Sequence, residues 1–306
     1  MNILITGATG FIGQALIHKL LRQNHMIRAL SRDGLKAQKI LSIPAYTWNY
    51  SSEDVPDEAL KDCEVIVHLM GENLGAGRWT NERKHEIYAS RIISTRKLVA
   101  AAPETLKAFI CGSAIGIYPG TGDKTYDETF VVPAQKTFMQ SICSDWEQEA
   151  TTIESRGIRR VSIRTGVVLG HGGMIKTLLP LFKMGLGGSV GSGLQWLPWI
   201  HIDDLTSVFM KTIEDTRYMG AINAVSPHPV HYHEFAHALG LVLHRPTFLS
   251  TPAWMLKLML GEVAALALNS YRIAPRRLLQ EYDFKFRFAE LHSALTDLFQ
   301  PQPILQ

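Results

Sequence analysis

The clearest chemical signature in this 306-residue chain lies in its first 32 residues. Gly7-Ala8-Thr9-Gly10-Phe11-Ile12-Gly13 spaces three glycines as GxxGxxG, directly after the apolar run Asn2–Thr6 and at the head of a helix-periodic segment. In that context each glycine has a task. Gly7 permits a tight turn, Gly10 lets the backbone approach a pyrophosphate, and Gly13 allows close helix–strand packing. The helix start, with Thr9, Phe11 and Ile12 around it, offers unpaired N–H groups and a partial positive charge to phosphates. A glycine-rich turn without a ligand is the plainer alternative, and strand, spacing and helix together favour the dinucleotide. The second strand chooses which one. An acid about 20 residues on favours NAD, whereas an arginine accommodates a 2′-phosphate. Here the strand ends Leu30-Ser31-Arg32-Asp33, so Ser31 and Arg32 offer a hydroxyl and a guanidinium fork, and the expected cofactor is NADP(H). Asp33, one residue later, suits a cap on the next turn. Arg32 as a merely solvated loop charge stays open.

Such a turn needs a sheet to hold it. Asn2–Thr6 is β-branched and nearly all apolar, the pattern of a strand buried on both faces of a parallel sheet. Over residues 11–23, Ile12, Leu16 and Leu20 recur at i+4 with Ile17 and Leu21 beside them, which predicts a helix. Residues 26–30 and 64–70 read as strands, the latter ending at Gly71. A helix over 81–102, a strand over 108–111, a helix over 136–156 and a strand over 161–169, broken by Gly166, follow. This alternation predicts right-handed crossovers and an α/β fold, a doubly wound parallel Rossmann sheet.

The character changes after Gly170, where glycines cluster up to Gly193; residues 185–193 read as a mobile cover over a cleft. From Pro227 onward the chain is mostly helical, with prolines between segments. The division expected is a dinucleotide-binding domain over 1–169 and a smaller, mostly helical substrate or cover lobe over 170–306. A strand near 221–225 that can return to the main sheet blurs that boundary.

Composition sets the limits. The formal charge is +3, from 31 basic and 28 acidic side chains, too small and too evenly spread to argue for nucleic acid. Cys63, Cys111 and Cys143 lie far apart without CxxC spacing, so neither a disulfide framework nor a zinc site is expected. No apolar run reaches the ~18 residues of a membrane span. The amino terminus enters a strand directly, so no signal peptide is expected and a cytoplasmic location is the default.

Beyond the glycine turn, several segments point the same way: ITGATGFIG at the start, VIVHLMG over 65–71, GSAIGIYPG over 112–120 and WIHIDDL over 199–205. Together they resemble the extended short-chain dehydrogenase/reductase superfamily, which contains nucleoside-diphosphate-sugar epimerases. Further segments resemble its atypical epimerase-family branch: GENL over 71–74 with Arg78-Trp79, Ser90-Arg91, CSDWE over 143–147, RTGVVLG over 164–170 and LGGSVGSGLQWLPWIHIDD over 186–204. The likeness spans nearly the whole chain.

The superfamily's chemistry uses a tyrosine with a lysine four residues later, and a serine that orients the substrate oxygen. None of the nine tyrosines here has lysine at +4. In the corresponding helix Met139 and Cys143, or Phe138 and Ile142 in the neighbouring register, take those two positions. What the resemblance implies is therefore divided. One reading is an NADP(H)-dependent oxidoreductase acting on a small carbonyl or hydroxyl substrate. A second is a non-catalytic NADP(H)-binding protein that senses redox state or supports a partner, since some relatives are linked to cell or plastid division. A third is a sugar-nucleotide epimerase, against which the missing pair argues.

Candidate residues follow. Ser113 stands where the superfamily has its serine, although a turn role fits it as well. Tyr118, in a loop expected to face the cofactor, is a replacement acid or a packed aromatic. Cys143 is a thiol near the nicotinamide or a small buried hydrophobe. His201 is the imidazole expected nearest the cleft, while Asp203 or Asp204 is expected to cap the next helix. Leu69, Met70 and Gly71 should line the adenine-ribose and pyrophosphate side, and Gly166 and Val167 should approach the nicotinamide. Arg91 reaches a phosphate or pairs with an acid. Trp79, Trp196 and Trp199 line a planar pocket or the ordinary core. Substrate, reaction direction and oligomeric state are not specified by the sequence.

Overall fold

The computed structural model describes residues 1–300. Seven parallel strands form the central sheet: β1 (Asn2–Thr6), β2 (Met26–Ser31), β3 (Ala45–Thr47), β4 (Val65–His68), β5 (Ala108–Ala114), β6 (Arg159–Thr165) and β7 (Gly220–Ala224), in the order β7-β6-β5-β4-β1-β2-β3. The chain runs outward from β1 to β3 and then crosses back to β4. The direction therefore reverses between β1 and β4, and ligands of open α/β sheets bind at the carboxyl ends of the strands flanking such a switch. Thr6 stands at that point, in register with Leu30 on one side and His68 on the other.

Strand side chains alternate between two cores. Ile3 and Ile5 join Val65, Val67 and Ile110 on one face, whereas Leu4, Ile66 and Phe109 point to the other. The first face is covered by α1 (Phe11–Arg22) and, later in the chain, by the helix Ile202–Glu214. Leu16, Ile17 and Leu20 of α1 are buried, about 1.5–3 kcal/mol of transfer free energy each. The short helix α2 (Gly34–Leu41) follows β2. The opposite face carries α3 (Asn81–Ala100) and α4 (Phe138–Thr151). A capping box between Thr137 and Gln140 fixes the start of α4.

The longer helices that follow are α5 (Gly173–Lys183), α6 (Ile202–Glu214), α7 (Tyr232–Leu243), α8 (Ala253–Leu260) and α9 (Leu291–Phe299). Phe182, Phe235, Leu239 and Leu295 of α5, α7 and α9 form a separate core with Trp199 of the short strand Trp199–His201. The edge strand β7 pairs with β6, Ala221 beside Ser162, so the sheet itself draws on chain well beyond residue 169. The glycines after 169 have specific neighbours. A Cβ on Gly172 would stand 2.5 Å from the Phe11 ring, which packs beneath this segment. The segment 185–193 is not the loose cover expected: Gly188–Val190 pairs in parallel with Leu249–Thr251, so its backbone is tied into a ladder.

Candidate active site

The turn between β1 and α1 is built for an anion. Gly7 has φ +66°, and a Cβ there would lie 2.6 Å from Leu69 O. A Cβ on Gly10 would stand 3.1 Å from Gly7 O, and one on Gly13 would stand 2.5 Å from it. Gly10 is the N-cap of α1 and brings no capping side chain, so the first amides of the helix have no intrahelical partner. Thr9 O accepts from Gln14 Nε2 at 2.6 Å, which ties the turn to the first turn of α1. The cradle has the shape and the free donors that a pyrophosphate requires.

The wall beside it is held by a buried set of hydrogen bonds that meet at Ser90. Met70 N–H donates to Thr6 Oγ1 at 3.2 Å, and Thr6 Oγ1 lies 2.7 Å from His68 Nδ1. His68 Nε2 lies 3.1 Å from Ser94 Oγ, whose own proton goes to Ser90 O at 2.6 Å. Ser90 Oγ then accepts from Glu72 N at 3.0 Å. Burial pushes the His68 pKa down to about 3, so the imidazole is neutral and can both accept and donate. Leu69, Met70 and Gly71 are thereby fixed next to the glycine turn.

At the end of β2, Arg32 is largely exposed and its Nη1 lies 3.1 Å from Glu72 Oε1. Glu72 Oε2 is held by Arg83 Nη1 at 3.0 Å. Asp33 is occupied as the cap of α2, accepting from Lys36 N at 2.9 Å. Ser31 Oγ accepts only a long bond, 3.4 Å, from Asp33 N. Arg32 and Ser31 therefore face outward at the strand end, with Asp33 turned away from it.

The catalytic side is arranged differently. Ser113, at the end of β5, donates to Glu147 Oε1 at 2.6 Å. Glu147, on α4, is bound in bidentate fashion by Arg164 of β6, at 2.8 and 2.9 Å. Arg164 Nη1 donates to Tyr118 Oη at 2.9 Å, and that phenol donates to Asn223 Oδ1 at 2.7 Å. Asn223 Nδ2 donates in turn to Ala274 O. Burial works against the Arg164 charge, but the Glu147 carboxylate more than offsets it and holds the guanidinium protonated. Burial pushes the Tyr118 phenol up to about 12. Tyr118 is enclosed beneath the loop, with the Tyr126 and Phe130 rings tilted against it, so it does not face the cleft.

His201 lies away from the cleft too. It is buried against Phe288, their ring centroids 4.0 Å apart, and burial lowers its pKa to about 4. Its Nδ1 accepts from Asp203 N at 3.2 Å, which makes His201, rather than Asp203 or Asp204, the cap of α6. Asp204 instead accepts from the Arg287 and Phe288 amides of the C-terminal segment. Gly166 is small for a protein neighbour: a Cβ there would stand 2.6 Å from Pro198 O, while Val167 pairs with Trp199. Trp199 is core, Trp79 packs edge-on to Phe138 at 5.3 Å, and Trp196 bonds Asp123.

Where an acid/base pair would stand, α4 presents Met139 and Cys143 against Gly116. Burial and the nearby Glu147 push the Cys143 thiol up to about 12, so it is no nucleophile. Tyr271, from the C-terminal lobe, packs against the cluster containing Cys143, and its hydroxyl accepts from Asn269 Nδ2 at 3.3 Å. Asn269 lines an open cleft of about 770 Å³ with Gly120, Gln195, Lys257, Glu262 and Leu268. Among the described residues no cluster of three metal-ligating side chains exists, and no helix is long and apolar enough to cross a membrane. The cysteines are all buried and free.

Four of these residues carry no role in the sequence reading: Glu72, Glu147, Arg164 and Tyr271. Arg164 did leave a signal, since an arginine directly after the apolar Ile163, within the buried stretch of its strand, requires a buried partner. Tyr271 left none, because only the folding of the C-terminal lobe brings it to α4.

The family model of the NAD-dependent epimerase/dehydratase family matches residues 3–224, and that of a domain of unknown function matches residues 251–298. The chain is 34% identical to the epimerase family protein YfhF of Bacillus subtilis, over 97% of this chain and 98% of that protein. It is also 34% identical to the chloroplastic SDR39U1 homologue of Arabidopsis thaliana, over 98% and 87% of the two chains. The crystal structure of human epimerase family protein SDR39U1, determined with NADPH, superposes with a TM-score of 0.87 at 30% identity, covering 99% of this chain and 100% of that one. UDP-glucuronic acid 4-epimerase from Bacillus cereus shares the fold alone, with a TM-score of 0.73 at 18% identity over 100% and 95% of the two chains.

Proposed function

The chain belongs to the NAD-dependent epimerase/dehydratase family, and from that premise we propose that it is an NADP(H)-dependent oxidoreductase acting on a small, uncharged carbonyl or hydroxyl compound. One observation carries the reading: an uncapped glycine cradle at the sheet's switch point. NADPH in the structure of the human relative supports the cofactor, and Arg32 at the end of β2 supports the 2′-phosphate. When bound, the cofactor supplies a hydride. The chain's own part is to orient a carbonyl against it and deliver a proton. Tyr271 is the group suited to that step: burial raises its pKa and keeps the phenol protonated, and Asn269 fixes its oxygen.

The cleft also bears on the substrate. A sugar nucleotide brings a diphosphate, which needs cationic partners. Among the cleft-lining residues Lys257 is the one cation, and Glu262 in the same lining is already paired with Lys84 at 2.8 Å. An uncharged compound fits that balance better. NADPH oxidation across a panel of aldehydes and ketones, followed in the reduced-nicotinamide absorbance band, tests the reading. Turnover is expected, and Tyr271→Phe should lower kcat by roughly 10²–10⁴-fold with NADPH affinity unchanged. Turnover of UDP-sugars, with none of carbonyls, would overturn it.

A second reading is a protein that binds NADP(H) without catalysis. The apolar pair Met139 and Cys143, and a Ser113 hydroxyl already engaged by Glu147, favour it. NADPH binding without turnover of any carbonyl would decide for this alternative.

A further inference from the structure

Arg91, on α3, is a largely enclosed cation without an acid of its own. Its Nη1 donates to Ile87 O and its Nη2 to Glu72 O, both at 3.0 Å. No carboxylate of the described residues lies within ion-pair distance of it, because the Glu72 side chain is turned to Arg32 and Arg83. The Trp146 ring lies 5.3 Å from its guanidinium carbon. On its other side is Gly71, where a Cβ would stand 2.7 Å from that carbon. A side chain at 71 would displace the guanidinium, so the glycine leaves room for it at the surface of the wall.

Enclosing a cation with only carbonyl partners is unfavourable unless an anion or hydroxyl-rich group completes its shell. A guanidinium has five N–H donors, and the two carbonyl bonds leave its remaining edge unused. Gly71 is two residues beyond Leu69, whose carbonyl touches the Gly7 turn. The unused edge is therefore near the place where the cradle holds a pyrophosphate. Its other neighbour is the face of α4 that carries Cys143 and Trp146, where the ribose beyond that pyrophosphate would lie.

We propose that Arg91 is a cofactor-binding residue that neutralises the pyrophosphate and bonds the nicotinamide-side ribose, completing from α3 an anion site that the neutral face of α4 leaves without a cation. This rests on the NADP(H) reading. It divides the cofactor between two arginines: Arg32 holds the 2′-phosphate end and Arg91 the middle.

The test is a titration of purified full-length protein with NADPH and with adenosine 2′,5′-bisphosphate, a probe that has the 2′-phosphate end but no pyrophosphate or second ribose. Arg91→Met, Arg91→Gln and Arg91→Lys are compared. Glutamine can still donate to the Ile87 and Glu72 carbonyls, so it removes the charge while keeping those bonds, and it serves if the methionine variant does not fold. Met and Gln variants should bind NADPH at least tenfold more weakly and the bisphosphate within twofold of the unmodified protein. Lysine, which keeps the charge, should recover most of the NADPH affinity. Unchanged NADPH affinity in a folded Gln variant overturns the proposal and leaves the NADP(H) reading intact. Equal losses for both ligands also overturn it, since Arg91 would then only be supporting the wall. Failure of the unmodified protein to bind NADPH overturns the underlying reading itself.

Discussion

The two halves of the sheet's carboxyl edge hold their polar groups in opposite ways. Around β1, β2 and β4 donors are left open: the α1 amides have no cap, the exposed Arg32 holds only a surface ion pair to Glu72, and Arg91 has an unused edge. Around β5 and β6 they are closed on one another, from Ser113 through Glu147, Arg164 and Tyr118 to Asn223. Open donors are the signature of a site waiting for a ligand, since leaving them unpaired has a cost that binding removes. A closed network specifies structure. In this chain the half around the glycine turn has the first arrangement, and the half around β5 and β6 has the second.

The largest effect that could break this comparison is in the closed half. Glu147→Gln leaves the Arg164 guanidinium buried without its counter-charge, an expected loss of about 3–5 kcal/mol in chemical denaturation. NADPH affinity of the molecules that remain folded should change little. A large loss of affinity at unchanged stability would mean that this network belongs to the cofactor site. Next in size, Gly10→Val should weaken NADPH and NADH alike by roughly 100-fold, about 2.8 kcal/mol, by filling the pyrophosphate cradle. The Gly10 neighbourhood is open apart from Gly7 O, so the melting temperature of the free protein should move little.

A smaller effect sharpens the role of the buried hydrogen bonds behind β4. His68 has a folded pKa of about 3, against 6.5 when unfolded. Its contribution is complete above pH 6.5 and is lost as pH falls toward 3, because only the unfolded chain takes up the proton in that range. His68→Gln should flatten the dependence of stability on pH between about 6 and 4, read from denaturation midpoints. An unchanged slope would show that His68 is not held neutral.

How much of this was legible in the sequence follows from the range of each interaction. The glycine turn, the helix behind it and Asp33 as a cap are local, encoded within a few residues of one another, and they could be read directly. Ser113 was placed by resemblance at the end of its strand, but not its bond to Glu147, which comes from a helix 34 residues away. His201 was misjudged because a histidine at a strand–helix junction can serve the backbone as readily as a substrate, and here the helix start takes its lone pair. Residues 185–193 looked loose because glycines lack side chains to pack. Their order comes from pairing with a strand some 60 residues later, such as Ser189 with Ser250, which no local pattern announces. Tyr271 acquires meaning only when α4 and the C-terminal lobe meet.

The central claim is that the open half is an NADP(H) site with a dedicated 2′-phosphate arginine. Titration with NADPH and NADH, read by nicotinamide fluorescence for the unmodified protein and Arg32→Ala, tests it most directly. NADPH should bind at least tenfold more tightly than NADH, about 1.4 kcal/mol, and Arg32→Ala should remove that preference by weakening NADPH alone. Equal binding of the two cofactors, or equal losses for both in the variant, would contradict it.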